Sequence, residues 1–213
     1  MVETIDNAIQ LTVLGICSII AIYKALLSRK KEWAMLAIFF SGFFMGNLYW
    51  QLFLQFYGET PTIFYVADLS WYVGDFFLYL MLRTILGPSA SIGHKDTSKT
   101  QLAIECGIVV FVSGMCIYFM QWGDYISNII AAILMALIAV RAVRGIFFTT
   151  GSTHRRICIT ALFFVICEYA LWIGSCFLEG DSLANPYYWF DGALTVSFLM
   201  IVIAASRELR VSE

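Results

Sequence analysis

The stretch Ile157–Leu178, ICITALFFVICEYALWIGSCFL, follows Arg155-Arg156, precedes Glu179 and carries a single charged side chain, Glu168. A helix that crosses a bilayer needs about 20 mostly apolar residues, and this run supplies them without a proline. Carried outward in both directions, the same reading finds six more such runs, near 8–27, 34–56, 63–84, 102–121, 125–146 and 187–206, with 157–178 as the sixth of the seven. The chain is therefore read as an all-α integral membrane protein, one domain over 1–213 built as a seven-transmembrane-helix bundle. Connections are short except for Gly87–Thr100, whose Pro, Ser, Gly and Lys content marks a solvated loop.

Composition leads to the same place. Of 213 residues, 61% are hydrophobic and 13% charged, more apolar side chain than a water-soluble domain of this size could bury. The formal charge of -2 leaves no basic surface for nucleic acid. Residues Met1–Asn7 carry Glu3 and Asp6 and no base, so the first apolar run is expected to stay as a helix and not to be removed as a signal peptide. Cys17, Cys106, Cys116, Cys158 and Cys167 fall inside apolar runs and read as small buried hydrophobes. Cys116 and Cys176 lie towards the outer ends of their helices, and a disulfide between them requires those helices to touch.

Lysine and arginine are retained on the cytoplasmic side during insertion, and all thirteen of them fit one topology. Lys24, Arg29, Lys30 and Lys31 flank the first connection, Arg83, Lys95 and Lys99 the third, Arg141, Arg144, Arg155 and Arg156 the fifth, and Arg207 and Arg210 follow the last helix. The opposite loops hold acids and no base, and Tyr57, Trp122, Tyr125, Tyr187, Tyr188 and Trp189 gather there as an interfacial belt, with Trp33 at the other interface. The expected orientation is N-terminus out and C-terminus cytoplasmic, in the cell membrane. Three echoes point to an internal repeat in a 3+1+3 order: Ile5-Asp-Asn-Ala-Ile with Ile126-Ser-Asn-Ile-Ile, Trp71-Tyr-Val-Gly with Trp189-Phe-Asp-Gly, and Phe-Phe pairs in helices two and six. That order resembles sugar transporters of the SWEET type, whose helix prolines have no counterpart here, since Pro61, Pro88 and Pro186 fall in loops or at helix ends.

The informative residues are those that do not belong in lipid, because an ionisable group inside a membrane helix costs about 2.5–3.5 kcal/mol and needs a partner, water or a function. Asp68, Trp71, Tyr72, Asp75 and Tyr79 share one face of helix three. From the helical rise, Asp68 lies about 8 Å below the outer surface and Asp75 slightly past the midplane, while Glu168 of helix six is about 15 Å from either surface. Asn47, Trp50, Gln51 and Gln55 line helix two, Glu168, Trp172 and Ser175 line helix six, and Asp191 and Asn128 enter at the outer ends of helices seven and five. If these stripes converge, Asp68, Glu168 and Asp191 supply the acids of an outward-facing cleft with amides from Asn47 and Gln51 and walls from Trp71 and Trp172. Such a cleft suits a small cationic or polar ligand, because carboxylates supply charge and aromatic faces supply cation-π attraction. Asp75 is alternatively read as an ion-pair partner of Arg141, and Glu105 as a solvated acid at the inner end of helix four. Asp75 and Glu168 in sequence also describe a proton or ion path, since a carboxyl in low dielectric can carry a proton near neutral pH.

Tyr65-Val-Ala-Asp68-Leu-Ser-Trp71 is similar to the counterion segment of microbial rhodopsins, and Asp191 sits where their seventh helix also carries an acid. Thr195 stands where that resemblance calls for the retinal-binding lysine, so it implies no covalent retinal. His94 and His154 fall in loops and leave no histidine in the bundle for haem or a catalytic zinc. There is no Walker loop, dinucleotide fingerprint or G-x-S-x-G elbow, and Ser70 and Ser175 have no base beside them other than a carboxylate. No catalytic residue, metal or cofactor is assigned. The expected function is ligand binding as a receptor or sensor component, with a cytoplasmic or membrane partner protein to carry the signal. The alternatives are a transporter or proton-coupled permease, and an intramembrane enzyme working with carboxylates alone.

Overall fold

The structure is a computed structural model that describes residues 2–59, 61, 65–87, 98–122, 124–148, 154–178 and 180–209. It is all-helical: α1 (Val2–Ser28), α2 (Lys31–Tyr57), α3 (Tyr65–Leu86), α4 (Lys99–Phe119), α5 (Tyr125–Val143), α6 (Arg155–Phe177) and α7 (Pro186–Glu208). A π-helical turn, Arg144–Phe148, prolongs α5. Among the described residues, seven helices are long and apolar enough to cross a membrane, the composition of a multi-pass membrane protein. The solvated loop read at Gly87–Thr100 falls mostly outside the described residues.

Local chemistry explains where the helices start and stop. Helix α1 begins at Val2, ahead of its apolar run, with Glu3 in its first turn, where the helix dipole favours an acid. Side chains of Ser98, Asp124 and Asn185 accept from the backbone N–H groups of Gln101, Ile126 and Tyr187 and so cap α4, α5 and α7. Pro186 occupies the first turn of α7, where its missing N–H costs nothing. Helix α2 ends at Gly58, whose φ of 72° closes the last turn.

Six helices close a ring in the order α1, α2, α3, α5, α6, α7 and back to α1, while α4 packs chiefly on the outside of α5. Small residues let α2 and α3 approach closely, as a Cβ on Gly42 would meet the Ser70 carbonyl oxygen at 2.6 Å. Halfway along the ring, Phe39, Phe40, Phe43, Phe164 and Phe198 fill the axis, Phe39 meeting Phe164 edge-on at 5.5 Å and Phe43 meeting Phe198 at 5.1 Å. The outside is apolar too: Ile19 is 69% and Val110 70% exposed, the surface expected where lipid replaces water.

Glu105 is not solvated. It is 6% exposed and forms an ion pair with Arg144, itself 1% exposed, and both guanidinium Nε and a terminal nitrogen donate to its carboxylate. Gln101 Nε2 donates to the same carboxylate at 2.9 Å. The reason is the docking of α4 on α5, which turns Glu105 towards the start of the π-helical turn and away from water. Gly145, next in that turn, lies so close to the Cys158 thiol of α6 that a Cβ would collide with it.

Candidate functional site

Between α2, α3, α5 and α6 lies a cavity of about 560 Å³. Its deep end is formed by Phe43, Asp75, Met135 and Glu168, and its mouth by Asp68, Trp122, Asp124, Ser127 and Tyr187. Trp50, Trp71, Tyr72, Tyr169 and Trp172 wall the middle. The mouth is at the bundle end that carries the aromatic belt, opposite the basic end, and the phenylalanine cluster closes the axis beneath Phe43.

The helical repeat of α3 places Asp68, Trp71, Tyr72 and Asp75 along the cavity one above another. Asp68 Oδ2 accepts from Ser127 Oγ at 2.8 Å, and the Tyr72 hydroxyl donates to the Ser127 carbonyl at 3.1 Å, so α3 and α5 are fastened at the mouth. Asn128 on α5 donates to the carbonyls of Phe119 and Trp122 at 3.0 and 2.9 Å and thereby holds the end of α4 over the cavity. On α6, the Trp172 ring stacks on Tyr169 at 5.9 Å and leans on Phe119 at 5.1 Å, which fixes the wall above Glu168.

At the deep end two acidic side chains line the cavity, Asp75 from α3 and Glu168 from α6. Asp75 is 3% exposed and its Oδ1 has no hydrogen-bond partner, although the residue lines the cavity. The ion pair read between Asp75 and Arg141 is not formed, because Arg141 lies a turn and a half nearer the basic end than Met135 and sets its guanidinium 5.9 Å from the centre of the Tyr79 ring.

Asp191, Asn47 and Gln51, expected from the sequence to join Asp68 and Glu168 in one cleft, lie outside the cavity lining. Asp191 is buried where α7 meets α1 and accepts from Gln10 Nε2, with the Asp6 carboxyl beside it. Gln10 also donates to Thr195 Oγ at 3.3 Å, and Asn47 donates to Gln10 Oε1. Trp71 Nε1 donates to Asn47 Oδ1 at 3.1 Å, so this inner chain of polar groups ends on the back of a cavity wall. Gln51 Oε1 is buried without a hydrogen-bond partner. The ring order is the cause: α1 lies between α2 and α7, and Gln10, a polar interruption of an apolar run, takes up the Asn47 and Asp191 groups. The residues that complete the cavity, Asp124 and Ser127, sit at the start of α5, where Asp124 also caps the helix, and the sequence alone did not single them out. All six cysteines are thiols, and Cys116 donates to the Asn128 carbonyl at 3.7 Å.

The chain matches no family model, no curated protein and no solved structure. The cavity speaks through its own chemistry. Among the described residues, four acidic side chains and no lysine, arginine or histidine line it, together with indole and phenol rings. Acidic groups thus stand at both ends of the cavity, with aromatic ring faces between them.

Proposed function

We propose that this protein is a seven-transmembrane-helix bundle of the cell membrane, N-terminus out and C-terminus cytoplasmic, that binds a small organic cation in its outward cavity as a receptor or sensor component. The observation that carries this reading is the placement of Asp75, which is buried, and of Glu168 at the foot of an aromatic cavity with no basic side chain among its described lining residues. Two uncompensated carboxyl groups are costly in a membrane helix, and a bound cation offsets that cost. Orientation is supported by the lysines and arginines among the described residues, which gather at the end opposite the mouth. The phenylalanine cluster below the cavity favours binding over a continuous path. A signal then has to leave through a partner, and since Arg141 and Arg144 are buried, the exposed Arg155 and Arg156 at the start of α6 are the contact for a cytoplasmic protein or anionic lipid.

The test is thermal unfolding of the detergent-purified protein against a panel of amines and inorganic cations, wild type beside Glu168→Gln. A ligand at a hundred times its Kd stabilises the native state by about 2.7 kcal/mol, and the rise is expected with amines in the wild type and not in the variant. Equal responses of the two proteins to every cation would make Glu168 a structural acid and end this reading.

A second reading, transport, is favoured by the ring. A half-turn that sends α1 to α5, α2 to α6 and α3 to α7 reproduces each neighbouring pair, with α4 as the linker, as a 3+1+3 internal repeat would. In that reading Asp75 and Glu168 form the proton or ion path. Flux of a labelled amine into sealed vesicles that stops with Glu168→Gln selects transport, and binding without flux selects a receptor.

A further inference from the structure

We infer that the cavity takes a linear α,ω-diamine, one ammonium held between Asp68 and Asp124 at the mouth and the other by Asp75 and Glu168 at the floor. This rests on the reading of the cavity as an organic-cation site and goes on to say which cation fits. The acids form two levels and are not gathered into one: among the described residues no three acid, cysteine or histidine side chains come close enough to share a metal ion. Seven residues of α3 separate Asp68 from Asp75, which is about 10 Å along the helix axis.

No single ammonium spans that distance. With a charge-assisted hydrogen bond at each end, the two levels leave about 5–9 Å between ligand nitrogens, the length of an alkyl chain of about three to six carbons. Both levels have acceptor capacity in hand. Asp75 Oδ1, on a side chain 3% exposed, and Asp124 Oδ2 are buried without partners. Asp124 uses its Oδ1 on the Ile126 amide, and Asp68 uses only Oδ2, on Ser127. Between the levels stand Trp71, Tyr72 and Trp172, rings that cover a methylene chain and carry no charge of their own. A monoamine leaves one level uncompensated, whereas a diamine neutralises both.

The experiment is isothermal titration calorimetry on the full chain in detergent at low salt. The probes are the straight-chain monoamines from propylamine to hexylamine, the diamines from 1,3-diaminopropane to 1,6-diaminohexane, and 1,10-diaminodecane. The expected result is a diamine of matching length that binds about tenfold or more tightly than the monoamine of equal carbon number. Affinity should decline again at 1,10-diaminodecane. Asp68→Asn, which keeps an acceptor for Ser127, is expected to bring the diamine-to-monoamine ratio close to one. A ratio near one in the wild type with both amines bound overturns the two-level site and leaves the cation reading standing. A ratio untouched by Asp68→Asn, or affinity that climbs steadily with chain length, overturns it as well. If no amine binds, the cation reading falls and the diamine falls with it.

Discussion

Replacing Glu105 by alanine should loosen α4 from the bundle far more than its position near a helix end suggests. Arg144 is 1% exposed and spends two of its donors on the Glu105 carboxylate. Removing one partner of a buried pair costs about 3–5 kcal/mol. Retaining one acceptor oxygen in Glu105→Gln places that variant near the lower end of the range. Replacing both partners with apolar residues of similar size, Glu105→Leu with Arg144→Met, is expected to be close to neutral, since the buried ion pair is then removed as a unit. The single and double changes therefore differ by several kcal/mol, which in a chain of this size corresponds to roughly 6–20 °C in Tm. Tryptophan fluorescence on heating reads it, because Phe119 of α4 packs on Trp172 and holds the Trp122 end over the cavity. A loss under about 1 kcal/mol for Glu105→Ala would refute the reasoning, as would a double variant no more stable than the single one.

Gly42→Ala should destabilise by about 1–3 kcal/mol, because its Cβ would press on the Ser70 carbonyl at 2.6 Å. Gly114→Ala, with nothing within 4 Å, should gain about 0.5–1 kcal/mol in helix propensity; thermal unfolding in the reverse order would contradict the α2–α3 packing. Trp71→Phe leaves Asn47 Oδ1 without its indole donor and should cost about 1–3 kcal/mol in the same assay. Amine titration of that variant should show weaker binding as well, since phenyl is a poorer cation-π face than indole. For orientation, cysteines placed at exposed Glu59 and Lys31 in a background without native cysteines should label oppositely with an impermeant maleimide on intact cells, Glu59 readily and Lys31 only after permeabilisation. Labelling of Lys31→Cys from outside would invert the topology.

What the sequence determined by itself is everything that depends on distance along the chain. Seven apolar runs of spanning length are local facts, and the helices that form over them differ only at their ends, where caps and dipoles prolong α1 to Val2 and α7 to Glu208. The face shared by Asp68, Trp71, Tyr72 and Asp75 is equally local, because 3.6 residues per turn place them on one side whatever helix lies opposite. Only the tertiary structure decided which faces meet. Asp68, Asp75 and Glu168 line one cavity because α3 and α6 both adjoin α5 in the ring, while Asp191 faces α1 and is taken up by Gln10. Glu105 looks like a surface acid until α4 docks on α5, and Arg141 like a partner for Asp75 until the heights of the two residues are compared. Spacing along one helix says nothing of the rotation of its neighbours, and in a membrane protein, whose apolar residues cover both the inside and the outside, hydrophobicity does not mark the inward face either.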